Sequence, residues 1–343
     1  DDCCSWDGVQ CSHSSGYVIG LDLSYGGLRG SIDSSSTLFR LVHLRRLNLA
    51  HNDFNGSRVP SSFGRLRKLT YLNLSHCDFS GLIPAQVLQL SKLDLLDLSG
   101  NPSAELGSRG METLARSMTA LRELNLSSVR ISSAVPGTFA DLFSLKFLSL
   151  HNCGLRGEFP EGVFDLPNLR SLSLSSNQNL TGSFPEFRKD SRLQELILAD
   201  TGFSGELPDS MGNLKSLNYL NLARCNFSGS IPPSMANLTH LDVLILNAND
   251  FLSWSLPSWL GQLSRLSQLN LDATNLRGDI PSSLANLTRL KFLSLGLNQL
   301  TGNIPPWISS LTHLNFFNVY PNKLTGHVPD SIFDLTALQY LGL

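Results

Sequence analysis

What this sequence lacks narrows its class first. No apolar run approaches the roughly 18 residues that span a bilayer, and the opening Asp1-Asp2-Cys3-Cys4 does not read as a signal peptide. Only 16% of the residues are charged, and 26 Lys and Arg nearly balance 28 Asp and Glu for a net charge of −2. That balance gives no electrostatic footprint for a phosphate backbone or an anionic membrane surface, which excludes nucleic acid as the expected partner. Motifs that carry chemistry are missing too: there is no Gly-x-Ser-x-Gly, no His-Glu-x-x-His, no Gly-rich phosphate loop and no metal-spaced Cys/His cluster. The reading is therefore not an enzyme, with no cofactor and no metal.

What the sequence has is repetition. Apolar residues make up 41%, with 27 Gly and 16 Pro, as suits a regular core punctuated by tight turns. Alignment on L-x-x-L-x-L-x-x-N-x-L-x-G-x-I-P places Gly26, Asn52, Cys77, Asn101, Val129, Cys153, Asn177, Thr201, Cys225, Asn249, Thr274, Asn298 and Asn322 at one position, 24 to 28 residues apart. The L-x-L segment, such as Leu72-Asn73-Leu74, alternates with period two and predicts a short strand. The expected fold is an α/β repeat solenoid: a parallel β-sheet on a concave face, short 3-10 and α segments on the convex side, and a disulfide-bonded N-terminal cap. About thirteen strands roughly 4.8 Å apart would make a face on the order of 60 Å long. Residues 1–20 read as a partial cap and 21–343 as the repeats. Because Leu338-Gln339-Tyr340-Leu341-Gly342-Leu343 stops inside a repeat, the chain is expected to be a piece of something longer.

The residue at the Asn position must bond the backbone of its turn, since a buried unsatisfied polar group costs ~1–3 kcal/mol. Cys77, Cys153 and Cys225 fall there and read as buried reduced thiols. Val129 interrupts the series beside the longest spacing, where Pro102 to Met118 insert a loop and a helical turn over Met111 to Met118. The other three cysteines lie in Cys3-Cys4-Ser5-Trp6-Asp7-Gly8-Val9-Gln10-Cys11. A loop closed by Cys4 and Cys11 would supply ~2.5 kcal/mol by chain entropy, with Trp6 over the exposed end of the first repeat. Cys3 is then left over, its partner expected upstream. A disulfide cap implies an oxidising compartment, and glycosylation sequons at Asn55, Asn73, Asn125, Asn179, Asn226, Asn237 and Asn286 point the same way.

Leu276-Arg277-Gly278-Asp279-Ile280-Pro281 and Leu300-Thr301-Gly302-Asn303-Ile304-Pro305 resemble the plant-specific leucine-rich repeat, and the Asp2 to Cys11 segment followed by Val18-Ile19-Gly20-Leu21-Asp22-Leu23-Ser24 resembles the cap of plant receptor-like proteins. The resemblance implies a glycosylated ectodomain on the extracellular side of the plasma membrane. It would bind a peptide, a microbial protein or a glycan in immune or developmental signalling and recruit a receptor-kinase co-receptor or adaptor. A second sheet beside the first goes with the Ile-Pro segment. The membrane would be reached only through a C-terminal span that this sequence lacks. The alternative is a soluble apoplastic inhibitor of cell-wall hydrolases, similar to the polygalacturonase inhibitors, which share the repeat and a similar double-cysteine cap.

Ligand contacts are expected among the outward residues. One column supplies Phe147 and ends in Phe292, Phe316 and Tyr340, and these last three, joined by Leu297 and Tyr320 on neighbouring columns, predict an exposed apolar and aromatic patch. A mixed surface of Glu195, Asp200, Tyr219, Arg224, Asn247 and Asp272 is a second candidate. His51, His76 and His151 also point outward and would respond to acidic fluid. Glycans on Asn73 and Asn125 would obstruct the early concave face and favour binding from about Phe147 onward or on the lateral edges.

Overall fold

A computed structural model describes residues 2–343. They form two compact units, the first ending at Leu180 and the second spanning Thr181–Leu343. In the first, strands Val18–Asp22, Arg46–Asn48, Tyr71–Asn73, Leu95–Asp97, Glu123–Asn125, Phe147–Ser149 and Ser171–Ser173 pair in parallel in that order. In the second, Glu195–Ile197, Tyr219–Asn221, Val243–Ile245, Gln268–Asn270, Phe292–Ser294, Phe316–Asn318 and Tyr340–Gly342 do the same.

Each strand is short because the repeat needs only one inward side chain between two outward ones. Leu47, Leu72, Leu96, Leu220 and Leu269 occupy that middle position at 0% exposure. Every register match sets like positions side by side, so the leucines stack in one file and the outward residues in others. The chain then turns back through a proline. Pro60, Pro136, Pro208, Pro257, Pro281 and Pro329 hold an extended conformation just ahead of a 3-10 helix and lack an N–H, so the helix starts where no donor is lost. The expected second sheet is present in pieces: Ser80–Leu82 pairs with Ser103–Glu105, Thr201–Glu206 with Asn226–Ser228, and Arg277–Gly278 with Gln299–Leu300.

The polar residue of each turn ties two turns together. Asn101 is 1% exposed; its Nδ2 donates to the carbonyls of Leu74 and Leu98 at 2.9 and 2.8 Å, while its Oδ1 accepts from the amides of Cys77 and Phe79. Asn298 repeats the arrangement, and Asn249 does so with one accepted bond, from the Phe227 amide. Cys77 Sγ donates to Leu49 O at 3.0 Å, and Thr201 Oγ1 only to its own turn, at Leu198 O. Cys77, Cys153 and Cys225 are buried free thiols, and burial pushes Cys77 up to about 11 and Cys153 to about 12.

Val129 is buried and offers no side-chain bond, yet the strands on either side keep regular register. The disturbance stays on the other side of the turn, as a full α-helix over Ser108–Ser117 that begins before the expected turn. Met111, Leu114 and Ala115 form its buried face at helical spacing.

At the N-terminus Cys4 and Cys11 form the disulfide. The role expected of Trp6 is corrected: its side chain is 58% exposed. The edge of the first repeat is instead covered by strand Val9–Cys11, which pairs antiparallel with Val18–Asp22. Backbone hydrogen bonding closes a sheet edge better than a ring lying on it.

Candidate ligand-binding face

Four files of side chains make the outer face of the sheet in the second unit. The first strand residue of each turn supplies Glu195, Tyr219, Val243, Gln268, Phe292, Phe316 and Tyr340, aligned by register. The third supplies Asn221, Asn270, Ser294 and Asn318. Two residues further on stand Asn247, Asp272, Gly296 and Tyr320, and one beyond them is the file of Asp200, Arg224, Ala248, Ala273 and Leu297.

That last file has a cause the sequence pattern does not announce. Asp200, Arg224, Ala248, Ala273 and Leu297 all have φ between 51° and 60°, and His51, His76 and Asn152 of the first unit share this left-handed turn. A non-glycine residue takes up such a conformation only when its surroundings fix it. Here the fixing bond runs from its amide to the next turn, as from Arg224 N–H to Asn247 O at 2.9 Å. Arg224 reaches back to Asp200 at 3.5 Å.

The structure brings the apolar group together. Phe292 and Phe316 stack with centroids 4.3 Å apart, and Phe316 and Tyr340 likewise at 4.3 Å. Leu297 and Tyr320 are 62% and 64% exposed. Of the mixed group, Glu195 and Tyr219 are direct cross-strand neighbours, Asp200 pairs with Arg224, and Asn247 is half-buried. Phe147 belongs to the first unit, in register with Glu123 and Ser171. Outward position does not always mean exposure, for Ser171 and Val243 are 8% and 6% exposed.

Sequence reasoning missed Ser294, Gly296 and Asn318. Asp272 is half-buried; its carboxylate accepts from Ser294 Oγ at 2.7 and 2.8 Å and from the Gly296 amide at 2.6 Å, and Asn318 Nδ2 donates to Ser294 Oγ at 3.1 Å. Burial raises its pKa against the lowering by these bonds. The signal available was the polar residue inside L-x-L, whose side chain caps the amide two residues on: Asn221 to Ala223, Asn270 to Asp272, Asn318 to Tyr320, each at 3.1 Å.

Among the sequons, Asn55, Asn179, Asn226, Asn237 and Asn286 are exposed, whereas Asn73 and Asn125 are half-buried. Asn73 and Asn125 use Oδ1 for the same cap, on the amides of Ser75 and Ser127. His51 stacks between Tyr25 and His76 at 4.2 and 4.6 Å, while His151 bonds Ser175 Oγ. The sulfurs of Cys3, Cys4 and Cys11 lie within 4.8 Å of one another, but two of them are spent on the disulfide and do not suit a metal. Among the described residues no helix is long and apolar enough to cross a membrane.

Comparison with known proteins agrees with this architecture. A leucine-rich repeat region model matches residues 183–303, and a Leucine Rich Repeat model matches 43–66, 68–90, 144–166 and 168–189. Receptor-like protein 6 of Arabidopsis thaliana is 43% identical over 227 residues, covering 64% of this chain and 23% of the relative. Receptor-like protein Cf-9 homolog of Solanum lycopersicum is 44% identical over 218 residues, covering 63% and 26%. The chain thus spans about a quarter of the length of these relatives. Among solved structures, the plant peptide hormone receptor RGFR1 in complex with RGF2 superposes with a TM-score of 0.80 at 26% identity, over 99% of this chain and 60% of that one. A TDR receptor gives 0.79 at 29% identity over 91% and 57%, and PEPR1-AtPEP1 gives 0.72 at 26% over 98% and 53%. The leucine-rich-repeat region matched in these proteins is not an enzyme, and neither is this chain. The repeat, the cap and the relatives agree, and the chain belongs to the leucine-rich-repeat proteins of the plant receptor-like type.

Proposed function

We propose that this chain is part of the ligand-binding ectodomain of a plant cell-surface receptor-like protein, and that the sheet face of residues 195–342 recognises a peptide or protein in immune or developmental signalling. One observation carries the reading: Phe292, Phe316 and Tyr340 stack in a row on that face, with Leu297 and Tyr320 exposed beside them. Exposed aromatic clusters bordered by polar groups mark recognition surfaces more often than bare scaffold. The polar residues Glu195, Asp200, Tyr219, Arg224, Asn247 and Asp272 lie on the strands and turns that precede this row on the same face. Two structural neighbours, RGFR1 with RGF2 and PEPR1 with AtPEP1, hold peptides, which supports a peptide over a glycan as the ligand class. The Cys4–Cys11 disulfide fits the oxidising environment of the extracellular side. The exposed sequons Asn55, Asn179, Asn226, Asn237 and Asn286 would carry glycans there, and a receptor kinase would complete the signalling unit.

Photo-cross-linking in plant extracellular fluid tests the reading. A photoreactive phenylalanine analogue at position 316 should capture a discrete peptide or protein that the same analogue at Phe143, 61% exposed in the first unit, does not. Identical adducts at both positions would remove the sheet face from consideration.

A further inference from the structure

The balanced net charge conceals a local excess in the first unit. Between Asp53 and Asp94 the chain carries Arg58, Arg65, Arg67, Lys68 and Lys92 against a single acid, Asp78. Asp78 stands just ahead of the second-sheet strand Ser80–Leu82, and Asp94 faces Arg122 at 4.0 Å. None of the five cations forms an ion pair among the described residues. Lys68 Nζ donates to His43 Nδ1 at 2.9 Å, and the His43 ring stacks on Tyr17.

Two of the others line a cleft. The 3-10 helix Ser61–Arg65 and the helix Ala85–Leu88 come together at Gly64, where an added Cβ would meet Gln86 Cβ at 2.6 Å. Beside that contact lies a cleft of about 470 Å³ whose polar lining is Arg67, Gln86, Gln89, Ser91 and Lys92. All five residues are exposed, and no side chain among them makes a hydrogen bond within the described residues. No carboxylate lines the cleft, and Leu90, its one apolar side chain, is only 4% exposed.

Two unpaired cations call for an anion. The rest of the lining says which kind, because each glutamine amide and the serine hydroxyl offers an acceptor oxygen as well as a donor. A sulfate or phosphate brings acceptors only, whereas a carboxylate flanked by hydroxyl groups uses both. An acidic peptide finds little here, since no aromatic ring lines the cleft and the helices offer no open strand edge to its backbone. A carboxylate set among hydroxyls is a sugar acid. The volume falls within the roughly 300–1,000 Å³ of small-ligand sites, but ion pairs at exposed positions are individually weak. Useful affinity therefore needs several carboxylates on one chain, with Arg65 and Lys68, on the same turn as Arg67, adding to the attraction.

We propose that the cleft beside Gly64 in the first unit binds an acidic polysaccharide, with a uronate carboxylate on Arg67 and Lys92 and its hydroxyls on Gln86, Gln89 and Ser91. The site is separate from the sheet face of the second unit and does not depend on it.

The test is surface plasmon resonance of the whole chain over immobilised polygalacturonate, with its methyl ester and polyglutamate as comparison polymers. The chain should bind polygalacturonate, lose affinity as salt is added, and bind either comparison polymer at least about tenfold more weakly. Arg67→Gln with Lys92→Gln should weaken binding about tenfold, and Gln86→Ala with Gln89→Ala about threefold, in variants whose melting is unchanged. Arg156→Gln with Arg170→Gln removes the same charge from exposed positions of the same unit and should change affinity by less than about twofold. No binding to polygalacturonate, polyglutamate bound equally well, or an equal loss from the Arg156 and Arg170 pair would each overturn the site.

Discussion

The asparagine at the turn does more for the fold than any other single residue type, because one amide group bonds its own turn and the turn before. Asn101→Ala would remove two donated and two accepted bonds from a site only 1% exposed. With several buried backbone groups left unpaired, it should cost about 2–4 kcal/mol in urea unfolding. Thr201→Val loses one principal bond, to Leu198 O, and should cost about 1 kcal/mol; equal losses would contradict the two-turn role of asparagine. The thiols at the same position answer a second question at this scale. With Cys77, Cys153 and Cys225 buried and raised in pKa, a disulfide-exchange reagent at pH 8 should titrate only Cys3 in the native protein and all four free thiols after denaturation. More than one rapid native reaction would mean that the turns open. Asp272 sets a pH dependence. Its folded pKa lies above the unfolded one, so its contribution to stability is full below the unfolded carboxylate pKa and is lost as pH rises through the folded value. Comparing melting of the wild type with Asp272→Asn from pH 4 to 7, the wild type should gain relative to the variant on acidification; a relative loss would reverse the sign of the burial effect.

At the scale of elements, the 3-10 helices pack so closely that glycine becomes obligatory in some turns and optional in others. At Gly261 an added Cβ would meet the Ser283 carbonyl oxygen, whereas at Gly137 it would meet nothing within 4 Å. Gly261→Ala should therefore lower stability by about 1–3 kcal/mol through overpacking, and Gly137→Ala should be neutral or slightly stabilising, both read by thermal unfolding. The strands were legible in the sequence because the L-x-L spacing fixes both their period and their register. The helix Ser108–Ser117 was only half legible, since its first residues, Ser108-Arg109-Gly110, carry no apolar periodicity of their own. Trp6 misled because a tryptophan beside a disulfide suggests a hydrophobic lid, while the cap uses backbone pairing between Val9–Cys11 and Val18–Asp22.

At the scale of the molecule, the repeat turns one local rule into files of aligned side chains within each unit, and the residue types change along a file while the strand register does not. The aromatic row at Phe292, Phe316 and Tyr340 could be read from spacing alone, because residues one repeat apart had to become neighbours. The Asp272–Ser294–Asn318 chain could not, because hydrogen-bond direction depends on which oxygen each hydroxyl and amide finds after folding. The left-handed file was half hidden: His51, His76, Asn152 and Asp200 are types that tolerate positive φ, whereas Arg224, Ala248 and Leu297 give no hint of it. The most direct measurement of the central claim is the affinity of a ligand captured from plant extracellular fluid for the wild type, for Phe316→Ser with Tyr219→Ala, and for Phe143→Ser as a control. The double variant should lose at least tenfold, about 1.4 kcal/mol, with the control unchanged; affinity kept by the double variant and lost by the control would contradict recognition by the sheet face.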